Sequence, residues 1–139
     1  MNTDRRLQVS LLLLRLGIFV VMFMWTIDKI LRPDHMASVF ERYYGLGGLG
    51  STAAYIVGGA EMLLILAFVV GLWKRWTYGA VLLLHAVSTF ATFGKYLAPF
   101  DAHNLLYFAA WPTLAACAAL YLMRHADSLL AVQGRSPGG

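Results

Sequence analysis

The sequence predicts an all-α membrane protein, a four-transmembrane-helix up-down bundle with a short amphipathic helix in the first outer loop. Three observations predict it. Of 139 residues, 60% are hydrophobic and only 13% are charged, whereas soluble domains have about 45–50% and about 25%. Four apolar segments approach the ~20 residues that a spanning helix needs. None of them alternates apolar and polar residues as the strands of a membrane barrel do. A soluble globule of this length would leave much of that apolar surface in water and precipitate, so a typical soluble enzyme and a disordered chain are excluded. The formal charge of +4 does not point to nucleic acid, because the cations are not gathered on one soluble face. A single cysteine, Cys117, leaves no mate for an intramolecular disulfide, a CxxC pair or a thiolate zinc site.

The first span runs from about Leu7 to Ile27 and carries one charge, Arg15. It is too long for a signal-peptide core, and Asp28-Lys29 follow it in place of a small-residue cleavage site. The outer loop then extends to Ser51. Within it, Pro33 to Tyr44 reads as an amphipathic helix with Met36, Val39, Phe40 and Tyr43 on one stripe. Gly45, Gly47, Gly48 and Gly50 give a flexible lead into the second span, Thr52 to Leu72, whose one charge is Glu61. A tight basic turn at Lys74-Arg75 precedes the third span, Trp76 to Phe93, which contains His85. The fourth, Leu105 to Met123, includes Pro112 and Cys117. Short connections make neighbouring helices antiparallel. Residues 1–130 form a single transmembrane domain, and residues 131–139, rich in Gly, Ser and Pro, form a disordered tail.

Cations set the orientation. Arg5, Arg6, Lys74, Arg75, Arg124 and Arg135 fall on one side, and Lys29, Arg32, Arg42 and Lys95 fall on the other together with most of the acids. This places both termini in the cytoplasm and the chain in a bacterial inner membrane as a multi-pass protein.

Ionisable residues inside a bilayer are costly unless paired, so each one marks a site to explain. Arg15, Glu61 and His85 share an approximate depth. Either Arg15 and Glu61 clamp two helices together beside a core histidine, or the three line a cavity for a quinone, a lipid or a proton. At the outer end, Asp28, Lys29, Asp101, His103 and Asn104 form a second polar group, with Asp101 placed to cap the fourth helix. Lys29 lies 14 residues after Arg15, about 40° short of whole turns, so both cations share a face of the first helix. One histidine within a span is too few for a six-coordinate haem. No HExxH or carboxylate-rich cluster points to a metal site, and no phosphate-binding glycine loop is present.

Two patterns then stand together. Arg15-Leu16-Gly17 leads through an apolar run to Lys29, and Gly58-Gly59-Ala60-Glu61 leads to Gly71-Leu72-Trp73-Lys74-Arg75. With four spans, this resembles the DoxX-like family of small four-helix membrane proteins over roughly residues 12–85. The resemblance implies a membrane accessory subunit of a respiratory or redox complex, close to a quinone. Such a subunit anchors a cofactor-bearing protein partner and is not catalytic on its own; if it were enzymatic, it would serve a quinone-linked oxidoreductase. The alternative is a small-molecule, lipid or quinone-binding or transport protein that uses an Arg15–Glu61–His85 cavity. Membrane lipids are partners under either reading, and no cofactor is implied by motif.

Overall fold

The computed structural model describes residues 2–45, 47–48 and 51–133, and every regular element among them is helical. The order is α1 (Thr3–Leu31), α2 (Pro33–Tyr44), α3 (Ser51–Val69), α4 (Lys74–Ala91), α5 (Phe93–Leu97) and α6 (Ala110–Leu122). A 3-10 segment, Asn104–Ala109, feeds directly into α6.

Local chemistry explains the boundaries. Asn2 caps α1 by accepting from the Arg5 amide at 2.8 Å, so α1 begins before the apolar run and reaches 29 residues. Pro33 opens α2, where a missing amide proton costs nothing, and Gly45 closes it with φ +68°. The inward stripe of α2 is Met36, which is buried, with Val39, Phe40 and Tyr43, which are half-buried, while Asp34, Ser38, Glu41 and Arg42 face out. α3 ends at Gly71, where the Leu72 amide donates to Ala67 O at 2.9 Å and the Gly71 amide to Phe68 O at 3.0 Å. That pair of bonds is a Schellman stop. Pro112 lies in the first turn of α6, again a tolerated position.

Three helices are long and apolar enough to cross a membrane: Thr3–Leu31, Thr52–Val69 and the continuous Asn104–Leu122. α4 has 18 residues and is not among them, because Lys74 and Arg75 occupy its first turn and His85 lies further along. The third span expected from the sequence also stops early. α4 ends at Ala91, and Phe93 belongs to the short α5.

The four long elements close a ring. α1 packs on α3 and α6, α4 packs on α3 and α6, and α2 lies across α1 and α3. Contacts fix antiparallel neighbours. A Cβ added at Gly58 would lie 2.9 Å from Ile30 of α1, and Gly79 of α4 meets Tyr121 of α6. The core is Leu11, Ile18 and Met22 from α1, Ile65 and Phe68 from α3, Tyr78 and Val81 from α4, and Cys117 and Leu120 from α6. Large apolar groups also point outward, with Leu63 72% and Leu83 65% exposed, while Arg15, Thr26 and Asp127 are 0% exposed. Apolar side chains turned outward, with the few charged groups buried beside an apolar core, are an arrangement a lipid solvent stabilises.

After α6 the chain turns through Met123–Ala126 and runs back across the end of the bundle that carries the α3–α4 turn. This is the turn end, and the other is the α2 end. The Val132 amide donates to Val70 O at 2.7 Å, and Ala131 packs on Gly71. Residues 131–133, where the sequence begins its disordered tail, are therefore docked on the bundle. The rest of that tail, 134–139, lies outside the described residues.

Gly71 has φ +72°, and a Cβ there would stand 2.7 Å from the Ala131 Cβ. Gly71→Ala is expected to cost roughly 1–3 kcal/mol through backbone strain and the displaced strap. The check is a lower thermal midpoint in detergent, with proteolysis of the C-terminal segment becoming faster.

Candidate functional site

α1 buries one stripe: Gln8, Leu11, Arg15, Ile18, Met22 and Thr26. Its spacing of three and four residues is that of a helix face turned to neighbours. Three of its six members are polar, and each finds a partner at a different depth.

Arg15 lies at the turn end, wholly buried. Its Nη1 donates to Asp127 Oδ2 at 2.8 Å and approaches the Tyr78 hydroxyl at 3.4 Å. Nη2 donates to the carbonyls of Leu129 at 2.6 Å and Leu130 at 3.1 Å. Tyr78 in turn donates to Asp127 Oδ2 at 2.6 Å, and Lys74 Nζ donates to the Asp127 carbonyl. Two turns earlier on α1, Gln8 Nε2 donates to Ala126 O. Its Oε1 accepts from the Ser128 amide at 3.0 Å and the Ser128 hydroxyl at 2.8 Å. The C-terminal segment is thus stitched to α1 and α4 by side chains whose charges are matched in place. Asp127 Oδ1 and Arg15 Nε are buried without a partner among the described residues.

The second polar site is nearer the α2 end. Lys29 Nζ donates to Glu61 Oε2 at 2.7 Å, and the Thr26 hydroxyl lies 3.2 Å from the same oxygen. The two charged side chains are 17% and 16% exposed. Next to them, Asp28 accepts from Arg32 Nε at 2.5 Å and from His35 Nδ1 at 2.6 Å. The His35 ring stacks on Trp25 at 6.5 Å. This pins α2 to the end of α1.

Arg15, Glu61 and His85 therefore do not meet. Antiparallel register is the reason. Glu61 faces Thr26, eleven residues and ~16 Å along α1 from Arg15, whereas Arg15 is level with Gly71 at the end of α3. The clamp expected between Arg15 and Glu61 is replaced by two, Arg15–Asp127 and Lys29–Glu61. His85 is near Glu61 in depth but its Nε2–H donates to Ala110 O at 3.1 Å, towards α6.

The outer polar group also divides. Asp28 and Lys29 take the partners above. Asn104 is buried and donates to Ala98 O at 2.9 Å, while Asp101 and His103 are exposed. Asp101 contributes its backbone carbonyl to the Asn104 amide and no side-chain cap.

Sequence reasoning missed Asp127, Tyr78, Lys74 and Gln8. A signal for Asp127 existed. At the end where Arg15 sits, the sequence offers only Asp4 and Asp127 as acids, and Asp4 is ~16 Å away on the same helix. Among the described residues, no group of three or more His, Cys, Asp and Glu could hold a metal ion.

These geometries serve position and charge. A buried ion pair contributes little net stability, but removing one partner leaves an uncompensated charge worth ~3–5 kcal/mol. Asp127→Asn is therefore expected to lower stability by ~3 kcal/mol and to release residues 128–133. Arg15→Met combined with Asp127→Leu should lose much less than either single change. Chemical denaturation in mixed micelles measures both, and equal losses in all three variants would refute the pairing.

Comparison with known proteins adds the family. The family model of methylamine utilisation protein MauE matches residues 7–104. The match supports a small membrane family and takes in Arg15, Gly17, Lys29 and Glu61, but it is to MauE and not to the DoxX-like family that the sequence pattern resembles. No curated protein and no solved structure matches the chain. By the match over most of its length, the chain belongs to the family of methylamine utilisation protein MauE.

Proposed function

We propose that this chain is a small multi-pass membrane accessory subunit of a redox system that acts on an amine, anchoring or stabilising a partner that carries the cofactors. The observation that carries the reading is the family, whose name places it in methylamine utilisation. Using methylamine requires oxidation at its carbon, so a redox partner is the natural company for such a membrane chain. The geometry supports an accessory role. Arg15, Glu61 and His85 are all engaged by partners within the bundle, as in a scaffold whose polar groups hold helices together.

The finer parts of the reading follow from the sequence. α4 crosses the membrane as a fourth span, screened by its neighbours α3 and α6. The membrane is a bacterial inner membrane, and the cation-rich turn end, with both termini, faces the cytoplasm. The resemblance of the Arg15–Lys29 and Glu61–Arg75 pattern to DoxX-like proteins favours a partner that works near a quinone pool. Purification in mild detergent from native membranes tests the core of this. A cofactor-bearing protein should co-purify, and its membrane level should fall severalfold when the chain is deleted. A stable homo-oligomer with no companion protein, together with normal growth on methylamine after deletion, would sink the proposal.

One observation favours a second reading, binding of a lipid or quinone. A groove of about 370 Å³ at the α2 end is lined by Met24, Trp25, Ile27 and Leu31 together with Asp28 and its two partners, Arg32 and His35. It offers apolar walls with a guanidinium–carboxylate–imidazole cluster at one edge. Mass spectrometry of the purified chain should then detect a bound quinone or lipid that Trp25→Ala removes. Retention of the same molecule by the variant would exclude this groove.

A further inference from the structure

The cleft at the turn end has the chemistry of an anion site at headgroup depth. It has a volume of about 360 Å³ and is lined mainly by Trp73, Lys74, Arg75, Trp76, Arg124 and His125. No Asp or Glu is among its lining residues. Asp127, next in the chain but one to His125, turns its Oδ2 inward to Arg15 and Tyr78. Arg5 and Arg6, both exposed, add positive charge at the same end.

Depth is set by the helices. One rim of the cleft, Trp73–Trp76, follows the candidate span that ends at Val69, and the other, Arg124–His125, follows the span that ends at Leu122. Both rims thus stand just beyond the apolar core, where phosphates lie. Trp73 and Trp76 are 63% and 72% exposed, and indole rings concentrate at that level. Trp73 holds a left-handed backbone, φ +48°, a conformation that costs a non-glycine residue free energy. The arginines are held by rings. Arg75 lies 5.3 Å over Trp76, and Arg124 lies 4.2 Å over Tyr121 while donating to Tyr121 O at 2.8 Å.

We infer that the cleft between Trp73–Trp76 and Arg124–His125 binds the phosphate of an anionic phospholipid, with Arg75 and Arg124 as its charged donors and the two tryptophans flanking the headgroup. Arginine suits this role because its fork matches phosphate oxygens. The inference concerns lipid recognition and stands apart from the identity of any redox partner.

Native mass spectrometry of the full chain, with phosphatidylglycerol or phosphatidylcholine of the same acyl chains, tests it. Phosphatidylglycerol should be retained in preference to phosphatidylcholine. Arg75→Gln should weaken that retention about fivefold, the share of one cation near a charged surface, and adding Arg124→Gln should weaken it further. Arg75 is exposed on the first turn of α4, so its variant keeps the fold. Arg42→Gln at the opposite end should change nothing. Equal retention of the two lipids by the unaltered chain, or no change in Arg75→Gln, would overturn the inference. So would full displacement of the lipid by millimolar inorganic phosphate, which marks a free-anion site, or by a glutamate-rich peptide, which marks a protein-docking site.

Discussion

A guanidinium with no exposure to solvent governs the way this bundle closes. Arg15 sits on the inner stripe of α1, and an ionised group there must be matched in charge and hydrogen bonding or it destabilises the fold by several kcal/mol. Its acceptors are Asp127 and the carbonyls of Leu129 and Leu130, all beyond the last helix. The C-terminal segment therefore folds back over the end of the bundle. Gly71 permits the close approach, since a side chain there would strike Ala131. Tyr78, Lys74 and Gln8 complete the attachment from α4 and α1. One charge in α1 thus ties together the N-terminal helix, the α3–α4 turn and the end of the chain.

The Lys29–Glu61 pair works by the same rule at lower burial. It lies where α1 meets α3, and Gly58, one turn before Glu61, lets Ile30 pack closely. In a lipid solvent there is little hydrophobic drive between helices, so close packing and polar bonds between them set which faces meet. Here the two ion pairs are set at Arg15 and Lys29, about 21 Å apart along α1, and together they fix both its rotation and its vertical register.

The site was partly legible in the sequence. Arg15, Glu61 and Lys29 stand out because charges inside apolar runs need an account, and the shared face of Arg15 and Lys29 follows from helical periodicity. Their partners do not. The centre of an apolar run marks depth along a span only when neighbouring helices begin and end at the same level. α1 is extended by a capped polar turn and overhangs α3, so Arg15 meets the end of α3 and not its middle. A shift of a few residues in antiparallel register moves a side chain by ~5 Å per turn, enough to exchange one partner for another. His85 shows the same limit for rotation: its depth was readable, its aim toward Ala110 was not.

By itself the sequence determined the solvent and the helices. Apolar content, run length and the absence of alternation select helices that bury their backbone bonds in lipid, and these are local properties of the chain. The amphipathic stripe of α2 is local in the same sense. Which charges meet is not. Asp127 is 112 residues from Arg15, and nothing in the periodicity of either segment joins them. Only the closed ring of helices brings them together, because the loss incurred by a lone buried charge is settled by whichever acceptor the packing of the whole bundle places within reach.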